Sequence, residues 1–368
     1  KLTFNQDTIN RIKTKKTENI YYVILDEMTS IKEFNNIFGV NFDKKDLIRQ
    51  VEKYNYFDDY SSFNLTTLTV ASILNLDRVA EVGDDISKYN HNKILFPKNL
   101  SKINFSTSHE PKLLKLLNHI NYDFIWIGNN LANCKNFNKD LCSNQNLSKK
   151  KNLEIVNLKL INSFLVPTPY EITLRKLNGF FKIKKNEYFL GNDFIENDAI
   201  NKFLKQDFKL EKKKKYFFLI HHMMPHNPYI YNTDCTYDGS AKNNLKDQLK
   251  GYKKNYFCTI KRINEFLDFI QKNDPGAIVV LQGDHGFKND YNFTYENDLE
   301  KFKIFNLFKT PDECKKYYKN NRRLGNINSI RIVLNCAFDL DLKLINNYPV
   351  FSNKLNKNFG VVKKINLN

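Results

Sequence analysis

Three short apolar runs end in side chains that can bind metal or move protons. "NIYYVILDEM" delivers Asp26 and Glu27, "KKYFFLIHHMMPHNPYIY" delivers His221, His222 and His226, and "GAIVVLQGDHGF" delivers Asp284 and His285. Singly each is ordinary, because an Asp after a strand is most often a turn former or helix cap. Their coincidence is less ordinary: four of the chain's seven histidines fall in two of these motifs. Carboxylates with imidazoles are hard and borderline ligands, suited to Zn²⁺, Mn²⁺ or Mg²⁺ rather than to a soft metal. A fourth stretch, "SSFNLTTLTVASILNL", sets Ser61, Asn64 and Thr66 ahead of a helical apolar pattern, so hydroxyls stand at a helix amino terminus. A hydroxyl beside a bound cation is acidified and becomes a nucleophile, while free first-turn amides favour phosphate or sulfate. These parts suit phosphoryl or sulfuryl transfer through a threonine ester.

The elements that must position these groups follow from the pattern. The three apolar runs read as buried strands. "PKLLKLLNHI" followed by "YDFIWIG" reads as helix then strand, and "LKDQLKGYKKNYFCTIKRINEFLDFIQKN" as a long amphipathic helix before the Asp284 strand. Helical patterns also cover roughly 44–54 and 194–206, and "SIRIVLNCAF" reads as a late helix or strand. Helices alternating with continuously apolar strands predict an α/β fold: a three-layer α/β/α sandwich around a mostly parallel sheet. Ligands in such folds bind beyond the carboxyl ends of the strands, where the three motifs would meet.

Composition narrows the function classes. The chain has 368 residues, 41% hydrophobic and 14% aromatic, enough for a buried core. Its formal charge of +18 is spread along the chain, with short lysine runs only at 149–151 and 212–215. No zinc-finger, RNP-like or helix-turn-helix pattern accompanies it, so no nucleic-acid partner is expected. A solvated basic surface accounts for the charge, and attraction to an anionic membrane face or an anionic glycan is the functional alternative. The apolar runs fall well short of the roughly 18 residues that span a bilayer.

Six cysteines occur, at 134, 142, 235, 258, 314 and 336. Cys134 and Cys142 bracket a polar loop, and sequential pairing (134–142, 235–258, 314–336) would close three local loops suited to an oxidising compartment. The count alone leaves the connectivity open. The chain starts at Lys1, and the expectation is an exported protein whose membrane tether lies in a segment absent from this chain.

In motif order, "NIYYVILDE", "NLTTLTVASILNL", "HHMMPHNPY" and "VVLQGDHG" resemble the alkaline phosphatase/sulfatase superfamily over roughly residues 18–340. The branch they resemble is that of the extracytoplasmic phosphoethanolamine and phosphoglycerol transferases, including lipoteichoic acid synthase. The resemblance implies an alkaline phosphatase-like catalytic domain over 19–345, after a polar extension or tether (1–18) and before a peripheral segment (346–368). It implies that Asp26, Asp284 and His285 hold a metal ion, with Glu27 at the second acidic position. Thr66, the nucleophile, would also touch the ion; Thr67 is its rival one residue on. His226 matches the histidine acting on the transferred group, and His221, His222, Thr67 and Asn64 would line the substrate. The 235–258 disulfide is similar to that of periplasmic members.

Two departures sharpen the expectation. No C/S-x-P-x-R motif surrounds the threonines, which argues against a formylglycine sulfatase. No histidine follows in "FKNDYNFTYENDLE", where two-metal members carry one, so a single divalent ion is expected: Zn²⁺ or Mn²⁺, with Mg²⁺ or Ca²⁺ admissible. The implied reaction moves a phospho-head group (phosphoethanolamine or phosphoglycerol) from an anionic phospholipid to a cell-surface glycan, in a periplasmic or other extracytoplasmic setting. A phosphodiesterase or phosphatase on the same scaffold, or a non-catalytic sulfatase-like domain, are the alternatives the motifs leave open.

Overall fold

The computed structural model describes residues 18–84, 111–128, 198–206, 214–238, 244–288, 298–319, 323–355 and 358–364. The predicted Cys134–Cys142 pair and nearly all of the 1–18 extension lie outside these residues.

The central sheet has six strands: β1 (Ile20–Leu25), β2 (Asn55–Tyr60), β3 (Tyr122–Ile127), β4 (Lys215–His222), β5 (Ile278–Gly283) and β6 (Lys303–Lys309). Their order is β2-β6-β5-β1-β4-β3. β3, β4, β1 and β5 pair in parallel, and β6 runs antiparallel between β5 and β2. β1 sits mid-sheet with every residue buried, which explains its unbroken apolar sequence. β2 ("NYFDDY") and β6 ("KIFNLFK") lie at the opposite side of the sheet from β3. They carry polar residues and lack the apolar run that marks the parallel strands.

The helices are α1 (Ile31–Phe38), α2 (Thr66–Asn75), α3 (Lys112–His119), α4 (Ala199–Lys205), α5 (Leu245–Asn273) and α6 (Gly325–Phe338). Single helical turns at Lys44–Leu47 and Val51–Lys53 fill the segment read as helical over 44–54. Strand alternation splits the core in two. Tyr22, Ile24, Leu219 and Val280 pack with α2, α3 and α6. Val23, Leu25, Ile220 and Leu281 pack with α1, α4 and α5. The result is the three-layer α/β/α sandwich expected from the sequence. Residues 325–338 resolve the helix-or-strand ambiguity as helix, capped in the left-handed region at Asp339. A further hairpin, β7 (Val350–Leu355) and β8 (Asn358–Lys364), begins where the Val350 amide donates to the Ser62 carbonyl.

Among the described residues, two disulfides tie the scaffold. Cys235–Cys258 joins the loop after β4 to α5, and Cys314–Cys336 joins α6 to the turn after β6. Both follow the sequential pairing predicted.

Candidate functional site

Register sets the site. Leu25 pairs with His222 on one side and Gly283 on the other, so the three motif strands end on one row. Asp26 and Asp284 therefore emerge together at the carboxyl edge of the sheet. Asp26, Asp284 and His285 are all buried, and each offers one ligand atom within 4.8 Å of the others. His285 Nε2 lies 3.5 Å from Asp284 Oδ2 and 3.8 Å from Asp26 Oδ1.

Hydrogen bonds fix which atoms face inward. Asp284 spends Oδ1 on the amides of Glu27 (2.9 Å) and His285 (2.8 Å), leaving Oδ2 buried without a partner. Asp26 accepts from His221 Nε2 through Oδ2 at 3.1 Å, and its Oδ1 likewise has no partner. His285 approaches the Gly286 carbonyl with Nδ1 at 2.8 Å. A carbonyl only accepts, so the proton sits on Nδ1 and the Nε2 lone pair points at the two orphaned oxygens. Burial pushes the His285 pKa down to about 4, against the pull of Asp284, and Lys288 adds to the lowering. Burial opposes the charge of Asp26, but the imidazoles of His226, His221 and His285 outweigh it and hold its carboxyl well below the usual range. Buried unpartnered oxygens are costly, and two of them facing an unprotonated imidazole nitrogen form a donor set that a divalent cation satisfies. The residues fit a metal.

Thr66 opens α2, and its Oγ1 reaches His285 Nε2 at 3.3 Å. Among the described residues this contact belongs to Thr66, while Thr67 follows half-exposed at the second helical position. The residue before Thr66, Leu65, makes no side-chain capping bond, so the first-turn amides have no side-chain cap. Thr69 Oγ1 donates to the Asp284 carbonyl at 3.1 Å and fastens the helix to the Asp284–His285 loop. Asn326 links the same parts: Nδ2 donates to the Gly283 carbonyl at 2.8 Å and Oδ1 accepts from Ser62 N at 3.3 Å. Asn64 is buried, with its Oδ1 unpartnered.

The loop after β4 folds back over Asp26, the His226 amide donating to the Asp26 carbonyl at 3.1 Å. Burial lowers the pKa of His226, but the Asp26 and Glu27 carboxylates more than offset this and leave it raised. Its Nδ1 donates to the Asn227 carbonyl at 2.6 Å, which frees Nε2 for proton transfer.

Two predicted residues are placed elsewhere. His222 follows His221 on one strand, so their side chains leave opposite faces of the sheet. His222 Nδ1 accepts from the Ile200 amide at 3.4 Å, beside Asp198, which is itself paired with Arg262 at 2.8 Å. It does not join the cluster. The Glu27 carboxylate also stands apart from the three ligand atoms: Oε1 accepts from the Lys288 amide at 2.6 Å. Glu27 adopts φ 64°, a left-handed conformation costing a non-glycine residue about 1 kcal/mol. Burial pushes its pKa up to about 7; His226 and Lys288 oppose the rise and Asp26 adds to it.

Lys288 itself was not anticipated. Its Nζ lies 3.0 Å from His285 Nε2, and in a lysine-rich chain one more lysine carries no signal. Gly283 and Gly286 flank the Asp-His pair; neither has a positive φ, and both permit close approach of backbone. A Cβ on Gly283 would collide with the Met28 carbonyl, and one on Gly286 with the Glu300 and Lys303 carbonyls.

Sheet order, layers and strand-end cluster together define an alkaline phosphatase/sulfatase-like fold. Among solved structures, the chain is similar to the C-terminal periplasmic domain of EcEptC from Escherichia coli, at 12% identity and TM-score 0.51 over 96% of this chain and 93% of that one. That domain has also been solved in complex with Zn, at 11% identity and TM-score 0.50 over 95% and 93% of the two chains. The periplasmic domain of phosphoethanolamine transferase EptC from Campylobacter jejuni matches at 13% identity and TM-score 0.50 over 90% and 97%. BT1596, a 2-O GAG sulfatase, matches at 10% identity and TM-score 0.51 over 92% and 78%. No protein-family model matches the chain, and no curated protein matches its sequence.

Proposed function

We propose that this protein is a metal-dependent transferase that moves a phosphoethanolamine or phosphoglycerol head group from an anionic phospholipid to a cell-surface glycan. The observation that carries the reading is Thr66 Oγ1 beside the unprotonated His285 nitrogen, at a helix amino terminus with no side-chain cap, with two orphaned carboxylate oxygens alongside. Asp26, Asp284 and His285 would hold one divalent ion, Zn²⁺ or Mn²⁺, with the Thr66 hydroxyl beside it. When bound, such an ion supplies positive charge and Lewis acidity.

The chain's own groups account for the rest. Thr66 reacts as its alkoxide, the form that a bound divalent ion would favour. Its Oγ bonds to the donor phosphorus as the bond to the diacylglycerol oxygen breaks, and the same alkoxide is released when the head group is passed on. His226, favoured in its protonated form by the Asp26 and Glu27 carboxylates, protonates the leaving oxygen. The first-turn amides of α2 hold the non-bridging oxygens. A glycan hydroxyl, deprotonated by the now neutral His226, then displaces Thr66 and carries off the head group.

Similarity to phosphoethanolamine transferase domains supports the fold half of this reading. The two disulfides suit an extracytoplasmic setting. Among the described residues no helix is long and apolar enough to cross a membrane, so a tether would lie outside them. The test is to incubate the protein with Zn²⁺ and lipid carrying a labelled head group, then map the label by mass spectrometry. A head group esterified to Thr66, absent from Thr66→Ala, is expected. Label on Thr67 moves the nucleophile by one residue. Head group released to water with no acceptor modified assigns the chain to the hydrolases, and no turnover with any donor overturns the proposal.

A further inference from the structure

α5 packs across the face of the sheet opposite Thr66, and one of its side chains touches all three loops that carry the candidate site. Tyr252 is fully buried. Its hydroxyl donates to the Glu27 carbonyl at 2.8 Å and accepts from the Thr29 amide at 3.3 Å, gripping the loop after β1 on both sides of Met28. Its ring lies 4.2 Å, centroid to centroid, from that of Phe287, two residues beyond His285. It also meets Tyr229, three residues beyond His226, edge to face at 6.2 Å. β6 also holds the first of these loops, the Phe305 amide donating to the Met28 carbonyl at 3.1 Å, but Tyr252 is the side chain that reaches all three.

The loop after β1 needs such a hold. Glu27 is left-handed, and that conformation sends its amide to Asp284 Oδ1 and its carbonyl to the Tyr252 hydroxyl. The bond to Asp284 is one of the two that turn Asp284 Oδ2 toward His285. The Tyr252 hydroxyl therefore secures the backbone conformation that orients a ligand oxygen it never touches.

We infer that Tyr252 is the positioning residue of the site: its phenol sets Glu27, and through it Asp284, while its ring sets the His285 and His226 loops against each other. The catalytic consequence rests on the transferase reading; the geometric claim does not. Tyr256 supplies the control. It lies one turn further along α5, is equally buried, and its hydroxyl donates to the Thr29 carbonyl at 3.4 Å while its ring stacks on Phe34. It holds the same loop but not the Glu27 peptide.

The experiment compares Tyr252→Phe, which leaves the Glu27 carbonyl without its donor and the Thr29 amide without its acceptor, with Tyr256→Phe, which leaves the Thr29 carbonyl without its donor. In metal-free protein, the imidazole NMR signals of His285 and His226 are expected to shift in Tyr252→Phe and to stay in place in Tyr256→Phe. Calorimetric titration with Zn²⁺ is expected to show affinity reduced about tenfold in Tyr252→Phe and unchanged in Tyr256→Phe. Equal effects of the two variants on both readouts, or no effect of Tyr252→Phe, overturn the inference. If the wild-type protein binds no Zn²⁺, the transferase reading fails, and the imidazole signals still decide whether Tyr252 positions the loops. Should Tyr252→Phe not fold, Phe287→Leu removes the ring contact while keeping the phenol. Displaced His285 signals in that variant support the inference, and unmoved ones overturn it.

Discussion

His221 donates from Nε2 to Asp26 Oδ2 at 3.1 Å, which turns the other carboxylate oxygen of Asp26 toward His285. His221 stands on β4 and Asp26 follows directly on the end of β1, so the register of the β1–β4 ladder sets the pair. The Trp126 ring meets the His221 imidazole edge to face, 6.2 Å between centroids, and limits its rotation. Partners that orient metal ligands typically contribute 10–100-fold, roughly, in affinity or activity. His221→Ala is therefore expected to weaken Zn²⁺ binding by about that factor, read by calorimetry, with the fold retained. Unchanged affinity would show that Asp26 is oriented without His221.

His222 gives a pH prediction with the opposite location and a definite sign. Burial, reinforced by Arg262 and His221, pushes its pKa down to about 3. In the unfolded chain it titrates near 6.5. The unfolded state thus binds the extra proton first, so stability is fully present above about pH 6.5 and is lost as pH falls toward 3. The slope approaches about 1.4 kcal/mol per pH unit below 6.5. Thermal melts of His222→Gln between pH 7 and 4.5 should show a flatter decline than wild type. Parallel curves would mean that His222 is not the group that senses acid.

The two histidines also show what the sequence made legible and what it did not. Asp26, Asp284 and His285 could be read because each ends an unbroken apolar run, and buried parallel strands end on a common edge. Thr66 could be read because a helix pattern starts there. His222 was misplaced although the signal was available: strand alternation alone sends neighbours 221 and 222 to opposite faces. Tyr252 and Lys288 were not readable. Tyr252 meets Glu27 across 225 positions in sequence, and no local period encodes such a contact. β2 and β6 escaped for a different reason: their polar residues carry no apolar run.

The Cys235–Cys258 disulfide anchors the loop that carries His226 to α5, together with Asn255, whose Oδ1 accepts the Tyr231 amide at 3.1 Å. Closing a loop of this size removes unfolded-state entropy worth about 3 kcal/mol. Cys235→Ser with Cys258→Ser should lower the melting temperature accordingly. It should also reduce kcat more than Zn²⁺ affinity, because His226 lies in the segment between β4 and Cys235 that the disulfide anchors and the ligands do not. A stability loss with kcat untouched would confine the disulfide to a structural role.

Gly286 admits the carbonyls of Glu300 and Lys303, and its amide donates to the Lys301 carbonyl at 2.7 Å. These neighbours are backbone at the start of β6 and cannot rotate aside. Gly286→Ala must push them or the Asp284–His285 loop away, at an overpacking cost of about 1–3 kcal/mol. Denaturant unfolding measures this, and a neutral substitution would mean that the approach relaxes freely.

Lys288 places an ammonium 3.0 Å from His285 Nε2, the lone pair that a divalent ion would take. Two like charges that close oppose each other by about 4 kcal/mol at the effective dielectric of a protein surface, with part of this relieved as the flexible lysine swings away. The chain must therefore hold its ion against a positive neighbour, which it offsets with two orphaned carboxylate oxygens. Replacing Lys288 by Met removes the repulsion and keeps the stem volume, while the Lys288 amide that Glu27 holds is unaffected. Zn²⁺ affinity measured by competition with a coloured chelator should rise severalfold in Lys288→Met, and its dependence on ionic strength should weaken. A fall in affinity would instead make the ammonium part of the supporting structure, needed to keep His285 in place.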